Sequence, residues 1–178
     1  MSGLATIFQS ALKKTDASHF QDIELYAPSN GAPAAFIAKA VTGTNGDALG
    51  AIIFQMPLDR INSIMRNAVG MGETGETYLV GQDFLMRSDS RLIKEPTLLK
   101  QKVDTATVRA GLEGKEGIQF VNDYRGNPVL SSYTGLEFLG TKYALLGEID
   151  EAEMMAPFYK LMRFAGMITL LVILGVAV

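Results

Sequence analysis

The sequence contains no cysteine and a single histidine, His19. Without cysteine, disulfides and thiolate metal sites are excluded. A histidine metal cluster or a Ser-His-Asp triad would have to be built around His19 alone, and we interpret this residue as a solvated side chain. No nucleophile–base pair or metal-ligand cluster is visible elsewhere in the sequence. We therefore expect neither an enzyme nor a bound cofactor.

The chain also lacks an excess of positive charge. Its 16 Lys and Arg residues face 19 Asp and Glu residues, which gives a formal net charge of −3. Nucleic-acid-binding domains present clusters of basic residues to the phosphate backbone. DNA and RNA are therefore not expected as partners.

The N-terminus lacks an export signal, because residues 1–16 (MSGLATIFQSALKKTD) do not have the charged-then-apolar order of a secretory leader. Lys160 and Arg163 precede the apolar C-terminal run and weakly favour a cytoplasmic location for the preceding residues. From these residues alone, either the domain is cytoplasmic or an upstream export helix is missing.

An uninterrupted apolar run forms the end of the chain. Residues 164–178 (FAGMITLLVILGVAV) carry no charge, and as a helix they would extend over roughly 22 Å, less than the ~30 Å hydrocarbon core of a bilayer. We predict a truncated transmembrane helix over 164–178, preceded by a juxtamembrane helix over 151–163. Asp150 and Glu153 fit a capping box at its start, and Pro157 is expected to kink it.

Short strands are predicted between residues 71 and 150. The predicted strands are 76–81, 84–88, 118–124, 129–136 and 143–149, with a helix around 104–112. A hairpin turn is expected at residues 125–128 (RGNP), and another at residues 139–141. This order predicts an α+β module with a five-stranded antiparallel sheet and flanking helices.

The preceding residues indicate part of another module. Apolar runs at 34–41 and 50–55 predict two or three strands within residues 1–56, and helical spacing after Pro57 predicts a linking helix over 57–70. Residues 70–75 (GMGETG) match the G-x-G-x-x-G spacing of dinucleotide-binding loops. Because a helix precedes them and a strand follows, the context is inverted, and we interpret them as a flexible turn.

Polar side chains in residues 85–91 (LMRSDSR) offer a candidate site. On a strand, Arg87 and Asp89 point to the same face, where Arg87 can hold a carboxylate and Asp89 an ammonium group. The alternative, which we favour, is that they pair with each other or with a neighbouring loop. Tyr78, Tyr124 and Tyr133 either line one pocket or fill a core with their hydroxyls at its rim.

Several segments resemble the membrane-proximal module of double Cache sensor domains from bacterial transmembrane receptors. They are residues 72–80 (GETGETYLV), 85–91 (LMRSDSR), 123–133 (DYRGNPVLSSY) and 144–153 (ALLGEIDEAE). Residues 26–31 (YAPSNG) and the strands after them resemble the end of the membrane-distal module.

The resemblance implies a PAS-like fold, with residues 1–56 as the remnant of the distal module and 71–150 as the proximal module. It further implies an inner-membrane protein with its sensor domain in the periplasm, dimerisation, and binding of a small molecule. Carrying over the proximal pocket places Tyr78, Arg87, Asp89 and Tyr133 near a ligand.

Three classes of function are open to this chain: a sensor, a spacer and an enzyme. The leading one is the sensor portion of a chemoreceptor, most like methyl-accepting chemotaxis proteins, that binds a small ligand such as an amino acid or organic acid, or a ligand-bound partner, and relays the signal through the membrane helix. The sensor of a histidine kinase or nucleotide cyclase is the closest alternative. A second class is a spacer that packs receptor dimers without binding anything, and a tail-anchored enzyme is the least supported.

Overall fold

Two antiparallel sheets and four α-helices make up the computed structural model, which describes residues 2–176. The elements in chain order are α1 (Gly3–Lys13), β1 (Ser18–Tyr26), β2 (Ala32–Thr42), β3 (Ala48–Gln55), α2 (Leu58–Met65), β4 (Glu76–Gly81), α3 (Ala106–Leu112), β5 (Gly117–Asn122), β6 (Pro128–Phe138), β7 (Thr141–Asp150) and α4 (Glu151–Val176). The predicted α+β class is confirmed.

The first sheet has three strands in the order β1-β2-β3, with α1 packed on one face. Helix α1 begins because Ser2 accepts a hydrogen bond from the N–H of Ala5, which satisfies one of the free donors of the first turn. Its apolar side buries Ile7 and Ala11 against the small and aromatic side chains of β2.

Helix α2 is shorter than the predicted 57–70 segment. It follows Pro57 and ends at Met65. Beyond that point the Asn67 side chain accepts a hydrogen bond from the N–H of Val69, a local turn contact that competes with helix continuation.

The second sheet has four strands in the order β4-β7-β6-β5, one fewer than predicted. Predicted strand 84–88 is wrong as a continuous strand and contributes only isolated bridges, Val80 to Met86 and Leu85 to Lys102. The physical reason is a tight turn, in which Phe84 adopts a left-handed conformation with φ 64° and donates its N–H to Gly81 O. A bulky residue in that conformation interrupts regular pairing.

The core of the second sheet lies between its inner face and the segment that contains α3. It is built from Tyr78, Val80, Met86, Val103, Val108, Ala144 and Leu146. Gly111 of α3 lies against Ala144 of β7, where a Cβ would be only 2.9 Å from the Ala144 Cβ. The absence of a side chain at this glycine allows the helix to approach the sheet closely.

The two sheets repeat one arrangement. Strands β1-β2-β3 form an antiparallel meander preceded by α1 and followed by α2, as strands β5-β6-β7 are preceded by α3 and followed by α4. In the second sheet β4 also pairs with β7, on the side away from β6. In the described part of the chain no strand occupies the equivalent side of β3.

Helix α4 continues directly from β7, so the predicted juxtamembrane and membrane segments form one helix of 26 residues. Residues 177 and 178 of the predicted span lie outside the described residues. Over Glu151–Gly175 its most apolar window has a mean hydropathy of 1.6 and none of it is buried. By length and composition, α4 is therefore able to cross a membrane.

Candidate functional site

Arg87 connects the second sheet to the first. Its Nε donates to Asp22 of β1 over 3.0 Å, and its Nη1 lies 2.9 Å from Asp83. Tyr143 of β7 donates its hydroxyl to the same Asp22 over 2.6 Å. Burial raises the pKa of Tyr143, and its hydrogen bond to Asp22 raises it further. We call Asp22, Arg87 and Tyr143 the inter-sheet latch.

Asp89 is held by α2 and by a neighbouring loop. It accepts from the Asn62 amide over 2.9 Å and from the N–H groups of Thr97 and Leu98 over 2.7 and 3.0 Å. The Asn62 side-chain oxygen in turn accepts from the Asp89 N–H over 2.7 Å. Thus Asp89 fixes α2 and the 97–98 loop to the edge of the second sheet.

Tyr78 belongs to a buried polar cluster on the inner face of the second sheet. Its hydroxyl donates to Glu148 over 2.7 Å, while Tyr124 and Ser90 each donate to Glu76 over 2.6 Å. The rings of Tyr78 and Tyr124 meet edge to face at 5.7 Å. Burial raises the pKa of both tyrosines, so both hydroxyls remain donors at neutral pH.

Tyr133 lies on the same inner face, opposite Leu146 of β7. Its hydroxyl lies over Gly117, where a Cβ would be 2.8 Å from the Tyr133 oxygen. Tyr133 therefore shares a face with Tyr78, whereas Arg87 and Asp89 contact the first sheet and α2. The four predicted residues lie in one module but do not converge on a single opening.

The start of α4 is fixed to the glycine-rich turn that precedes β4. Glu153 accepts from the N–H groups of Glu73 and Thr74 over 2.8 and 2.7 Å, and from the Thr74 hydroxyl over 2.5 Å. The Asp150 N–H donates to the Thr74 oxygen over 3.1 Å. The predicted capping box is therefore wrong in its partners, because Thr74 of the turn contacts both residues. These hydrogen bonds lower the pKa of Glu153.

Two arginines complete this junction, which we call the α4 clamp: Thr74, Arg91, Arg125, Asp150 and Glu153. Arg91 donates to the carbonyl oxygens of Gly72 and Glu73 over 2.8 Å each, and also to that of Gly75. Arg125 joins Asp123 to Asp150 over 2.6 and 2.5 Å. The turn, the β5–β6 hairpin and the first turn of α4 are thereby held together by charged groups.

An apolar cavity of about 240 Å³ lies where the two sheets and α2 meet. Phe20, Ile64, Phe138 and Tyr143 are among its lining residues, and Arg87 is the charged residue in its wall. Phe20 of β1 and Phe138 of the β6–β7 hairpin pack edge to face at 5.0 Å. The contact between the sheets is thus partly open and depends on the latch for its polar connections.

Sequence reasoning missed Asp22, Glu76, Glu148 and Arg125 as members of these junctions. Glu76 and Glu148 were predicted only as strand residues, within 76–81 and 143–149. A usable signal was the position of each glutamate, two residues from an apolar residue on the same strand face, Tyr78 in β4 and Leu146 in β7. Within residues 2–176, no group of three or more His, Asp or Glu side chains is arranged for a metal ion.

Comparison with known proteins identifies this architecture. Residues 6–158 match a family model described as Cache domain. No curated protein matches the sequence.

Three solved structures are similar in fold. The periplasmic sensory domain of the Campylobacter jejuni chemoreceptor Tlp1 has a TM-score of 0.65 at 13% identity, covering 85% of this chain and 55% of that one. The extracellular domain of the putative histidine kinase mmHK1S-Z3 has a TM-score of 0.60 at 18% identity, covering 87% and 56%. The ligand-binding domain of the Pseudomonas aeruginosa chemoreceptor PctC, in complex with GABA, has a TM-score of 0.56 at 19% identity, covering 82% and 61%. The chain thus spans little more than half the length of these domains.

Proposed function

This chain belongs to the Cache domain family, and from that premise we propose that it is the extracytoplasmic sensor portion of a bacterial chemoreceptor that relays a ligand signal through α4. Solved domains of similar fold come from both chemoreceptors and a putative histidine kinase. A histidine kinase or nucleotide cyclase output is therefore the alternative at the level of the whole receptor. We propose no enzymatic activity.

We further propose a double Cache arrangement, in which residues 1–56 are the end of the distal module and residues 71–150 the proximal module. The repetition of the meander supports this division, since each meander is framed by a preceding and a following helix. The second sheet has a fourth strand beside its last strand, and β3 has an open edge at the matching position. Phe54 and Ile52 on this strand are 67% and 54% exposed, as expected of residues that further chain or a second subunit would cover.

The observation that carries the proposed relay is the α4 clamp. Strand β7 passes into α4 at Glu151 without a loop, and Glu153 is hydrogen-bonded to the turn that starts β4. A shift of β4 relative to β7 must therefore move the first turn of α4 or break these bonds. A ligand-biased switch requires two packings of the sheet, and we propose that these are the clamp with its hydrogen bonds intact and the clamp with these bonds broken.

We propose that the ligand is a small polar molecule such as an amino acid or organic acid. The similar domains include one solved in complex with GABA and another in complex with L-alanine. Ligand contact through Tyr78, Arg87, Asp89 and Tyr133 stays a prediction. Such a ligand would have to compete with Asp22 and Asp83 for the Arg87 guanidinium.

A second candidate function is a spacer that transmits motion without binding anything. It is favoured by the engagement of Arg87 with Asp22 and Asp83, and of Asp89 with Asn62 and the 97–98 loop. With this function, the proximal module only transmits motion to α4, and the ligand is bound by the distal module or by a dimer partner.

Calorimetric titration distinguishes the two candidates. The full chain in lipid nanodiscs is titrated with the common amino acids and with small organic acids, beside Arg87→Lys and Asp89→Asn variants. Direct sensing predicts saturable binding heat in the original chain. Each of the two variants should lower the affinity by about tenfold or more, since a hydrogen bond to a charged group contributes about 1.5–3 kcal/mol. Binding that both variants leave unchanged would place recognition elsewhere in the chain. No binding to any member of the panel would contradict ligand sensing by this chain.

The relay is tested separately with spin labels on exposed α4 positions, for example Leu161, which is 65% exposed. Label spectra and distances should change on ligand addition in the original chain and not in Glu153→Gln. A ligand response that survives in this variant would show that the signal does not pass through the clamp.

A further inference from the structure

Two buried carboxyl groups lie side by side in the second sheet without a cation. Glu76 of β4 and Glu148 of β7 are register partners on adjacent antiparallel strands, and only 1% and 3% of their surfaces are exposed. Both project to the inner face, together with Tyr78 and Leu146. Within residues 2–176 neither carboxyl group takes part in an ion pair.

Glu76 and Glu148 differ in the number of hydrogen bonds that their carboxyl groups accept. Both oxygens of Glu76 accept, one from Tyr124 and one from Ser90, each over 2.6 Å. Glu148 accepts from Tyr78 through Oε2, and its buried Oε1 has no partner among the described residues. Ser131 of β6, the register partner of Glu148 on its other side, has a buried hydroxyl that is likewise without a partner.

This pattern fits a Glu148 that keeps its proton beside Glu76. Two neighbouring buried carboxylates cannot both remain charged at low cost, and the acid with fewer donors is the one that keeps the proton. A proton on Glu148 Oε1 turns that oxygen into a donor, and Ser131 Oγ is the free acceptor beside it on β6. Burial raises the pKa of Glu148, with Asp123 and Glu76 adding to the rise and the hydrogen bond from Tyr78 opposing it.

The groups that face Glu148 come from every element packed around it. They are Glu76 and Tyr78 on β4, Asp123 and Tyr124 after β5, and Ser131 on β6. Arg125 is the nearby cation, but its guanidinium is engaged by Asp123 and Asp150. A second negative charge at this place would therefore meet no free counter-charge among these groups.

The acid pair lies beside the α4 clamp on both strands. Glu148 is two residues before Asp150, whose N–H donates to Thr74, and Glu76 directly follows Gly75 of the clamped turn. Repulsion between two ionised carboxylates, or water drawn in to solvate them, would separate β4 from β7 where the clamp joins them.

We propose that Glu148 holds a dissociable proton beside Glu76 and that release of this proton loosens β4 from β7 at the head of α4, which makes this module responsive to pH. The proposal goes beyond the ligand relay, because it needs no bound ligand.

The direction of the pH effect follows from linkage. A carboxyl whose pKa is raised by folding binds more protons in the folded than in the unfolded chain, so stability falls as pH rises above the ordinary Glu value of about 4.3. The fall continues until pH passes the raised pKa of Glu148. The head of α4 should therefore be tighter in acid and looser towards alkaline pH.

Thermal unfolding of the full chain in nanodiscs from about pH 5 to about pH 9 tests the proton site. Glu148→Gln, which keeps the hydrogen-bonding shape without the titration, should flatten the decline in Tm, whereas the exposed control Glu137→Gln should leave it unchanged. A decline in Glu148→Gln equal to that of the original chain would overturn the proposal.

Two further variants keep Glu148 and give the test an outcome even if Glu148→Gln does not fold. Glu76→Gln removes a negative neighbour and should move the midpoint of the pH effect down by about one unit, whereas Tyr78→Phe removes a donor to the ionised form and should move it up by a similar amount. Infrared spectra should contain a protonated carboxyl band at a pH above the ordinary Glu pKa of about 4.3, and this band should disappear as the pH is raised further. The absence of both midpoint shifts, or of the band, would refute the proton site at Glu148.

The connection to α4 is measured on the same samples by amide hydrogen exchange. Protection of residues 151–156 should fall over the pH range in which the carboxyl band disappears. Unchanged protection through that range would refute the connection and leave a proton site without a conformational effect.

Discussion

Replacing Asp22 by alanine should lower the free energy of unfolding, because the Asp22 carboxylate accepts hydrogen bonds from both other members of the inter-sheet latch, Arg87 and Tyr143. Arg87 Nε and the Tyr143 hydroxyl donate to it over 3.0 and 2.6 Å. The side chain of Arg87 is 7% exposed and that of Asp22 24% exposed, so water reaches the carboxylate only in part. Removing the Asp22 side chain leaves the buried Tyr143 hydroxyl and the Arg87 Nε without their acceptor.

These contacts set the expected loss in the free energy of unfolding. A hydrogen bond to a charged group contributes about 1.5–3 kcal/mol, and breaking a buried ion pair from one side costs about 3–5 kcal/mol. Asp83 still neutralises Arg87, and solvent partly screens the exposed side of Asp22. We therefore expect Asp22→Ala to lower the free energy of unfolding by about 3 kcal/mol. For a chain of this size that corresponds to a fall in Tm of about 6–12 °C.

The assay is a double-mutant cycle of Asp22→Ala and Tyr143→Phe, followed by urea and thermal unfolding of the full chain in detergent. We expect a coupling energy of about 1–2 kcal/mol between the two positions, and additivity within about 0.5 kcal/mol for Asp22→Ala with the exposed Tyr159→Phe. Asp16→Ala, at an exposed loop position, is the single-site control. A coupling below about 0.5 kcal/mol, or an Asp22→Ala effect no larger than the control, would show that the sheets are not held by the latch.

Two further substitutions probe the α4 clamp and the core of the second sheet. Glu153→Gln removes the charge that three donors of the turn contact, so amide exchange at Thr74 and in the first turn of α4 should become faster, and unchanged exchange would contradict the clamp. Leu146→Ala empties a fully buried position and should lower the free energy of unfolding by about 2–5 kcal/mol in urea titrations, against less than about 0.5 kcal/mol for the exposed Ile118→Ala. Equal losses from the two substitutions would mean that the core does not lie on the inner face.

Local patterns were sufficient for most elements of the second sheet. Alternation and turn residues predicted a strand over 76–81, which the structure has as Glu76–Gly81, and a hairpin at residues 125–128, where Gly126 has φ 82°. The strand and the turn depend only on residues that are close together in the sequence. The strand predicted at 84–88 failed because its backbone is set by a left-handed Phe84, which apolar alternation does not encode.

The junctions depend on partners that are distant in sequence. Glu153 has the spacing of a capping box, yet its donors lie about 80 residues upstream, and Arg87 pairs with Asp22 across 65 positions. The pairing of Glu76 with Glu148 follows from strand register, which shifts every side chain to the other face if it slips by one residue. Sequence periodicity indicates which residues face inward, but it does not choose their partners.

The absence of a loop between β7 and α4 gives the spacing along this helix an angular meaning. Each helical residue advances about 1.5 Å and turns about 100° around the axis. One residue added between Glu153 and the apolar segment would therefore rotate the whole membrane-facing surface by about 100°, whereas about seven would return it nearly to its starting azimuth. If α4 crosses the membrane of a receptor as we propose, the number of its residues sets a rotational phase between the sheet and the membrane, and receptors joined at this helix have to match phase as well as length.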